Sequence, residues 1–482
     1  LPVLSLSTLL GGIDPLALGL AFLITTCLAL LGCTLALTLS VWAKKTHDVL
    51  MATYAIWVVL LLFQPIWQLV ALSGPGVAGP PSWVLHLNPF WLAFAAYSAP
   101  NQVKGADYAV FFAATLGASL LLMIVAVARM RAVSLRDNEP ATRRRPRAGL
   151  GWIGRLRRAL PGPTLDSNPV LWREWHRNRP SRWSRLIWLT LALATTIGGS
   201  WSVVDMLKNG VGPPSGPDLG VFVVILQITL GLLLLSVSAA TSLSEERTRG
   251  SLDVLLATPL STWSIVWGKW WGAFRIVPLL AFWPGLIAAV MAFSLRKPLP
   301  PGWPANYYYV PGIAARLFSI GLIIATVLCH GAAITSLGLA LATRVPKQGR
   351  AVALCVAAYV IVCLGWIFLV MAIFSQGSGR LAEGLAMLSP IFAAGALCEG
   401  LVLGQPHSYE IRMWATFWAL IVGTAAVVLF VLMYVSFDDC LGRISDWRDL
   451  PGPWDDDPPD PQTESSVKAP SFITAEPDED LR

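Results

Sequence analysis

Long, uninterrupted stretches of apolar residues, separated by short polar segments, dominate the chain. An α-helix needs about 20 such residues to cross a hydrocarbon core of about 30 Å. Because these stretches are continuously apolar and do not alternate, they predict helices and not the strands of a membrane barrel. The sequence therefore predicts an all-α, polytopic helical membrane protein of about nine transmembrane helices, at 15–42, 49–72, 108–130, 186–206, 219–241, 271–294, 313–343, 351–375 and 413–436.

Two further apolar runs, 82–100 and 385–403, are each broken in the middle by a proline. Asn88 precedes Pro89 in the first, and Ser389 precedes Pro390 in the second. Asn or Ser followed by Pro is typical of a helix start. Each half of these runs is then too short to span, so both runs are predicted to be re-entrant elements of the outer leaflet.

The distribution of positive charge predicts the orientation of the chain. Residues 129–185 contain 15 Arg against four acidic residues, and short basic loops lie at 44–48 and 344–350. Basic loops of membrane proteins favour the cytoplasmic side. With the two broken runs kept as re-entrant elements, every basic loop falls on that side. The prediction is an integral protein of the inner (plasma) membrane with a cytoplasmic C-terminus.

An internal repeat is indicated by the order of these elements. Residues 15–130 read as helix, basic loop, helix, broken run and helix, and 313–436 read the same way. We therefore predict four regions: 1–130, the back half of a first unit; 131–167, a basic cytoplasmic linker; 168–436, a complete six-span unit; and 437–482, an acidic tail. The tail has 13 acidic against four basic residues, a composition that predicts disorder.

Composition excludes several other classes of function. Charged residues make up only 13% of the chain, against roughly 25% in soluble proteins. The seven cysteines form no CxxC pair and are read as small core residues, so no metal site is predicted. His330 lies deep in a span, where packing is the favoured role. The Arg-rich stretches 141–147 and 154–160 favour anionic lipid headgroups over nucleic acid, because they lie beside the membrane and lack interleaved aromatic residues.

The polar segment SLSEERTRGSLDVLLATPLSTWSIVWGKWWG, residues 242–272, is more organised than a loop requires. Charged residues mark the water boundary, Gly250 is suited to end a helix, and Ser251 to cap a new one. Leu252, Leu255 and Leu256 form one apolar face, and Pro259 ends it. Ser261 and Thr262 are suited to cap the next helix, and its Lys269 is predicted to snorkel to the boundary. An isolated helix of two turns is not stable in water, so its leucines are expected to face either lipid or a soluble partner that grips them.

A second amphipathic element is predicted in NPVLWREWHRNRP, residues 168–180. Asn168 is suited to cap a helix with Pro169 at its first position. Trp172 and Trp175 are placed on a lipid-facing side and Glu174 on a water-facing side.

The pattern from Glu246 to Ser261, followed by Gly268-Lys269, resembles the coupling segment of type-2 ABC exporter permeases, and 168–180 resembles their elbow helix. The resemblance implies a permease subunit that moves substrate with power from a separate ATPase. It also implies that the first of two fused units is truncated at its N-terminus. The implied coupling residues are Glu245, Glu246, Arg247, Gly250, Leu252, Asp253, Leu255, Leu256, Pro259, Gly268 and Lys269, with Asn168, Pro169, Trp172, Glu174 and Trp175 in the elbow helix.

The resemblance also implies partners and cofactors. The chain has no GxxxxGK[ST] sequence for a phosphate-binding loop, so it is predicted not to be an enzyme and to hold no cofactor. ATP and Mg would bind to cytoplasmic ABC ATPase subunits, working as a dimer. The alternative is a membrane anchor or scaffold that keeps the permease fold without transport.

Overall fold

A computed structural model describes residues 15–43, 46–73, 79, 81–98, 103–137, 164–165, 168–176, 182–211, 219–248, 250–295, 311–374, 379–403 and 408–441. Regular structure in these ranges is helical, apart from one isolated bridge in which Val211 N donates to Leu295 O at 2.8 Å. The predicted all-α fold is confirmed. Most of the predicted basic linker and nearly all of the predicted acidic tail lie outside the described residues.

The described residues of the first part of the chain form five helices. They are α1 (Pro15–Trp42), α2 (Thr46–Ser73), α3 (Ser82–His86), α4 (Pro89–Ser98) and α5 (Gly105–Asp137). Asn88 caps α4 as predicted, since its Oδ1 accepts from Phe90 N at 3.0 Å. Thr38 on α1 donates to Leu122 O on α5 at 3.1 Å, which ties the two long helices together.

The second part contains a short leading helix and a bundle of long helices. They are α6 (Pro169–His176), α7 (Arg182–Asn209), α8 (Leu219–Thr248), α9 (Ser251–Leu256), α10 (Thr262–Phe274), α11 (Val277–Phe293), α12 (Ile313–Arg344), α13 (Gln348–Val360), a π-helical turn (Ile361–Gly365), α14 (Trp366–Ile373), α15 (Gly379–Ala386), α16 (Pro390–Leu403), α17 (Ser408–Val435) and α18 (Phe437–Leu441).

Eight segments of the described residues are long and apolar enough to cross a membrane: α1, α5, α7, α8, α10 with α11, α12, α13 with α14, and α17. Each matches a predicted span. The ninth predicted span, 49–72, lies within α2, a helix of 28 residues. The predicted span 271–294 begins earlier, at Thr262, because Ser261 caps α10.

Helix α8 is the centre of the bundle and is buried for most of its length. It packs against α12, α13, α7 and also α2 of the first part. A Cβ atom at Gly338 on α12 would lie 2.8 Å from Ala239 Cβ and 2.9 Å from Ala240 N. Only glycine permits this approach, which is typical of helix pairs in membranes, where small residues let backbones meet.

The run 385–403 is bent, as predicted. Helices α15 and α16 meet at an angle of 118° at Pro390, and Ser389 precedes that proline. Ser389 is not a side-chain cap, however: its Oγ donates to Cys363 O in the π-helical turn at 2.7 Å. A π turn displaces backbone carbonyls from their usual partners, so this hydroxyl satisfies an acceptor on a neighbouring span.

Three side chains from other spans contact carbonyl oxygens at the end of α15. His330 Nε2 lies 3.0 Å from Leu388 O, and its Nδ1 lies 2.8 Å from Thr326 O on its own helix. The carbonyl oxygens of residues 384 and 385 accept from two indoles, at 2.8 and 2.7 Å. These indoles belong to Trp418 and Trp366. His330 therefore has a structural position, and the bend is held from three sides.

Candidate functional site

The polar segment 242–272 forms two helix ends and one short helix between them. Helix α8 ends at Thr248, and Gly250 takes a φ of +69°. This left-handed conformation suits glycine and lets the chain turn. The predicted helix stop at Gly250 is confirmed. Helix α9 follows for six residues, and α10 begins at Thr262. We call the region from Glu245 to Gly272 the coupling segment, after the family pattern that its sequence resembles.

The two serines that the sequence offered as caps behave differently. Ser261 caps α10: its hydroxyl accepts from Ser264 N at 3.3 Å. Ser251 does not precede α9 but is its first residue, and its hydroxyl donates to Glu246 O at 3.3 Å. The prediction that Ser251 caps α9 is wrong, because the sharp turn at Gly250 brings Ser251 back towards the end of α8.

The apolar face of α9 exists as predicted, but it points into the protein. Leu252 is 1% exposed and Leu255 is 7% exposed. Both belong to a cluster of buried residues with members on α8, α10, α12 and α17, and Leu256 packs against this cluster partly buried. The expected orientation, with these leucines turned to a partner, is wrong. Among the described side chains of α9, Val254 points outward and is 71% exposed.

Helix α6, the predicted elbow helix, lies directly on α10. Asn168 caps it, since its Oδ1 accepts from Leu171 N at 3.0 Å, while its Nδ2 donates to Ser264 O at 3.0 Å. A Cβ atom at Gly268 would lie 3.0 Å from Val170 Cβ, and one at Gly272 would lie 3.1 Å from Glu174 Cβ. The Gly268 and Gly272 positions, one helical turn apart, thus form the groove that receives α6.

A group of charges, buried except for the partly exposed Arg173, joins α6, α8 and α10. Lys269 Nζ lies 2.7 Å from Glu246 Oε1 and also forms an ion pair with Glu174 Oε1. Arg173 Nη2 lies 3.4 Å from the same oxygen of Glu246. The Lys269 side chain is only 3% exposed. We call Arg173, Glu174, Glu246 and Lys269 the charge cluster.

The charge cluster corrects two predictions. Glu174 was expected to face water, and Lys269 was expected to reach the membrane boundary. Both side chains are buried, because the close approach at Gly268 places them against each other away from solvent. A buried ion needs a partner of opposite charge, and Lys269 and Glu174 are each other's partners.

The other residues predicted for the coupling segment and the elbow helix have separate contacts. Arg247 Nη1 donates to Thr343 O at 3.1 Å, at the end of α12. Glu245 is half-buried, and Pro259 is exposed. Trp175 lies under the Arg275 guanidinium, 5.1 Å from its ring centre, and Trp172 stacks on His176. The side chain of Asp253 lies outside the described residues.

Sequence reasoning missed the role of the residues that follow α17. Residues 437–441 were assigned to a disordered tail, yet they form α18. Phe437 is 2% exposed and belongs to the same buried cluster as Leu252. Thr262 Oγ1 lies 2.9 Å from both carboxylate oxygens of Asp438. One aromatic residue just before the acidic stretch was the available signal.

The ends of several helices therefore meet at one end of the bundle, which we call the coupling end. Here α8 and α12 end, α10 begins and α17 passes into α18. Among the described residues no group of three or more His, Cys, Asp or Glu side chains is arranged to hold a metal ion.

Comparison with known proteins covers this region. A family model described as "ABC-2 family transporter protein" matches residues 221–439. No curated protein matches the chain. The matched range contains α8 to α17 and the coupling segment, and it begins after α6. This part of the chain is therefore similar to ABC-2 family transporter proteins, and the match supports a permease of an ABC transporter.

Proposed function

We propose that the chain is the membrane permease of an ABC exporter, driven by a dimer of separate cytoplasmic ABC ATPase subunits that bind ATP and Mg. The family match over residues 221–439 supports a permease. The exporter direction and the ATPase partner rest on the pattern of the coupling segment. The coupling end is then the cytoplasmic end.

The observation that carries this proposal is the position of Lys269 between Glu174 and Glu246. These three residues belong to α10, α6 and α8. Separating one partner from a buried ion pair leaves an uncompensated charge, which costs about 3–5 kcal/mol. A displacement of one of these elements is therefore resisted by the others. A push on the coupling segment would move two spans and the elbow helix as one unit.

The surface that receives the push is the outward side of α9 and the turn after it. Val254 is 71% exposed, and Ala257 and Pro259 are also exposed. Leu252 and Leu255, being buried, anchor α9 to the ends of the spans. In this arrangement the partner touches Val254 and its neighbours, and the leucines pass the movement into the membrane.

We also propose that the first part of the chain supplies the other wall of the pathway, as a partial copy of the second. Both parts contain a helix broken before a proline, at Pro89 and at Pro390. Met51 and Ala52 on α2 belong to the same core as α8, so the two parts pack together.

The test is purification of the intact protein from its native membrane, with identification of any copurified P-loop ATPase and measurement of ATP hydrolysis. Val254→Asp should remove the ATPase while the protein still elutes as a folded species. The matched control is Tyr409→Asp, an exposed apolar residue, 70% exposed, at the start of α17 and away from the coupling end.

The Tyr409 variant should keep its ATPase. If the wild-type protein carries no ATPase, the scaffold alternative is favoured. If Val254→Asp retains the ATPase and normal hydrolysis, α9 is not the contact.

A further inference from the structure

An apolar groove of about 350 Å³ opens beside the coupling segment, between α10, α12 and α17. The lining includes Trp270 and Phe274 of α10, Ala332 of α12, and Val427 and Phe430 of α17. Sites that hold small molecules have volumes of about 300–1,000 Å³. The groove is therefore large enough for a defined occupant.

The depth of the groove places its nearer end in the leaflet at the coupling end. Along α17, Phe430 and Gly423 lie 5 and 12 residues before Val435, which is about 8 to 18 Å at 1.5 Å per residue. Along α12 the lining runs from Ser336 to Leu328, which lie 8 and 16 residues before Arg344, or about 12 to 24 Å. A hydrocarbon core of about 30 Å has leaflets of about 15 Å, so the groove begins in the leaflet at the coupling end and reaches the middle of the membrane.

The chemistry of the lining favours a hydrocarbon chain. Among the residues that the structure describes, no charged side chain lines the groove. The indole of Trp270 donates to the hydroxyl of Ser336 at 3.0 Å, so this polar pair is satisfied internally. The opening faces the membrane, since Val427 is 63% exposed and Trp267 is 36% exposed. The molecules that surround this opening carry acyl chains.

Basic residues lie at the boundary end of the groove. Arg344 ends α12, and its Nη2 lies 3.4 Å from Ser436 Oγ, so it reaches across from α12 to the end of α17. Lys347 and Arg350 follow and are exposed. Of the acidic residues nearby, Asp438 accepts from Thr262 and Asp439 is exposed. Anionic headgroups are attracted by basic residues next to the membrane.

We propose that this groove binds one acyl chain of an anionic phospholipid from the leaflet at the coupling end, with the headgroup phosphate beside Arg344 and Lys347. This assignment does not rest on the proposed transport function. The lipid would lie against α10, which belongs to the coupling segment, and against α12 and α17. It would fill the space between these three helices.

The test uses the full chain in nanodiscs that contain phosphatidylglycerol with a photoreactive group on its acyl chain. Adducts are mapped by mass spectrometry. We expect them to concentrate on the groove, above the level at other lipid-facing positions. Ala332→Phe with Gly423→Phe fills the groove and should reduce its adducts to that background level. Leu317→Phe with Leu420→Phe, on exposed faces of the same two helices, should change nothing.

A second arm tests the headgroup. Photoreactive phosphatidylglycerol is compared with phosphatidylcholine of the same chain length. Arg344→Gln with Lys347→Gln should lower the preference for phosphatidylglycerol by up to about thirtyfold, because two basic residues are lost. Arg344 and Lys347 are exposed, so replacing them leaves the fold intact. This variant therefore tests the proposal even if the variant with the filled groove fails to fold.

Two results would overturn the assignment. One is an even spread of adducts over all lipid-facing residues in the wild-type protein. The other is equal labelling by the two phospholipids in the wild-type protein.

Discussion

Gln227 on α8 donates from Nε2 to the carbonyl oxygen of Leu280 on α11 at 2.9 Å. This oxygen lies four residues before Pro284, which is inside α11 and has no N–H to offer it. The side chain of one span thus replaces a backbone donor that proline has removed from another. A backbone oxygen without a hydrogen-bond donor is costly in a membrane. The Gln227 amide therefore compensates for the donor that Pro284 lacks.

A double-mutant cycle measures that dependence. Gln227→Met should lower the free energy of unfolding by about 0.6–1.7 kcal/mol, the range of hydrogen bonds within membrane bundles. In a Pro284→Ala background the same change should cost much less, because the new N–H reaches Leu280 O. Unfolding in mixed detergent micelles checks this. Equal costs in both backgrounds would show that Gln227 acts by packing.

The charge cluster makes a second prediction. Lys269→Met leaves two buried carboxylates together and should destabilise the protein by about 3–5 kcal/mol. Adding Glu174→Gln should recover much of this loss, since the remaining carboxylate of Glu246 keeps Arg173 as its neighbour. Thermal unfolding of the single and double variants is the measurement. A double variant less stable than the single one would contradict the assignment.

The contact between α6 and α10 gives a third prediction. Gly268→Ala brings a Cβ atom to 3.0 Å from Val170 Cβ and 3.1 Å from Leu171 N, and should cost about 1–3 kcal/mol. Gly321→Ala, inside α12, is the control, because a Cβ atom there meets nothing within 4 Å. In a helix that control should stabilise by about 0.5–1 kcal/mol. Opposite signs in thermal unfolding are therefore expected.

The buried and exposed residues of α9 give a fourth prediction. Leu255→Ala should destabilise the folded protein by about 2–5 kcal/mol, because Leu255 is packed in the core. Val254→Ala should change the stability by less than about 0.5 kcal/mol, as for other surface positions. Differential scanning fluorimetry of the protein without ATPase separates the two. Equal effects would mean that α9 is not docked on the bundle.

The orientation of the chain gives a fifth prediction. Thr248 and Tyr409 are exposed near opposite ends of the second part. In a protein whose exposed cysteines, Cys33 and Cys440, are replaced by serine, Thr248→Cys should react with an impermeant maleimide only after the cells are opened. Tyr409→Cys should react in intact cells. Labelling of both from one side would refute the predicted topology.

Local rules predicted the parts of the coupling segment that local chemistry determines. Gly250, Ser261 and Asn168 act as a helix stop and two caps because backbone geometry and nearby donors decide these roles. The broken run at Pro390 was predicted for the same reason. These features depend on residues a few positions apart, which a sequence shows directly.

The missed features depend on residues that are distant in the sequence. Lys269 and Glu174 are 95 positions apart, and nothing in either neighbourhood shows that they meet. The apolar face of Leu252 and Leu255 was read correctly, but its direction depends on which surface covers it. That surface includes Phe437, whose acidic neighbours made the sequence there look disordered.

The bend between α15 and α16 limits how the bundle can move. Side chains from α12, α14 and α17 each contact a different carbonyl oxygen near the end of α15. Shifting α15 alone would break these contacts, and a backbone oxygen left unpaired within a membrane is costly. The bent pair therefore links its three neighbouring spans, which must move together. A passage across the membrane has to open along a boundary that leaves this group of helices intact.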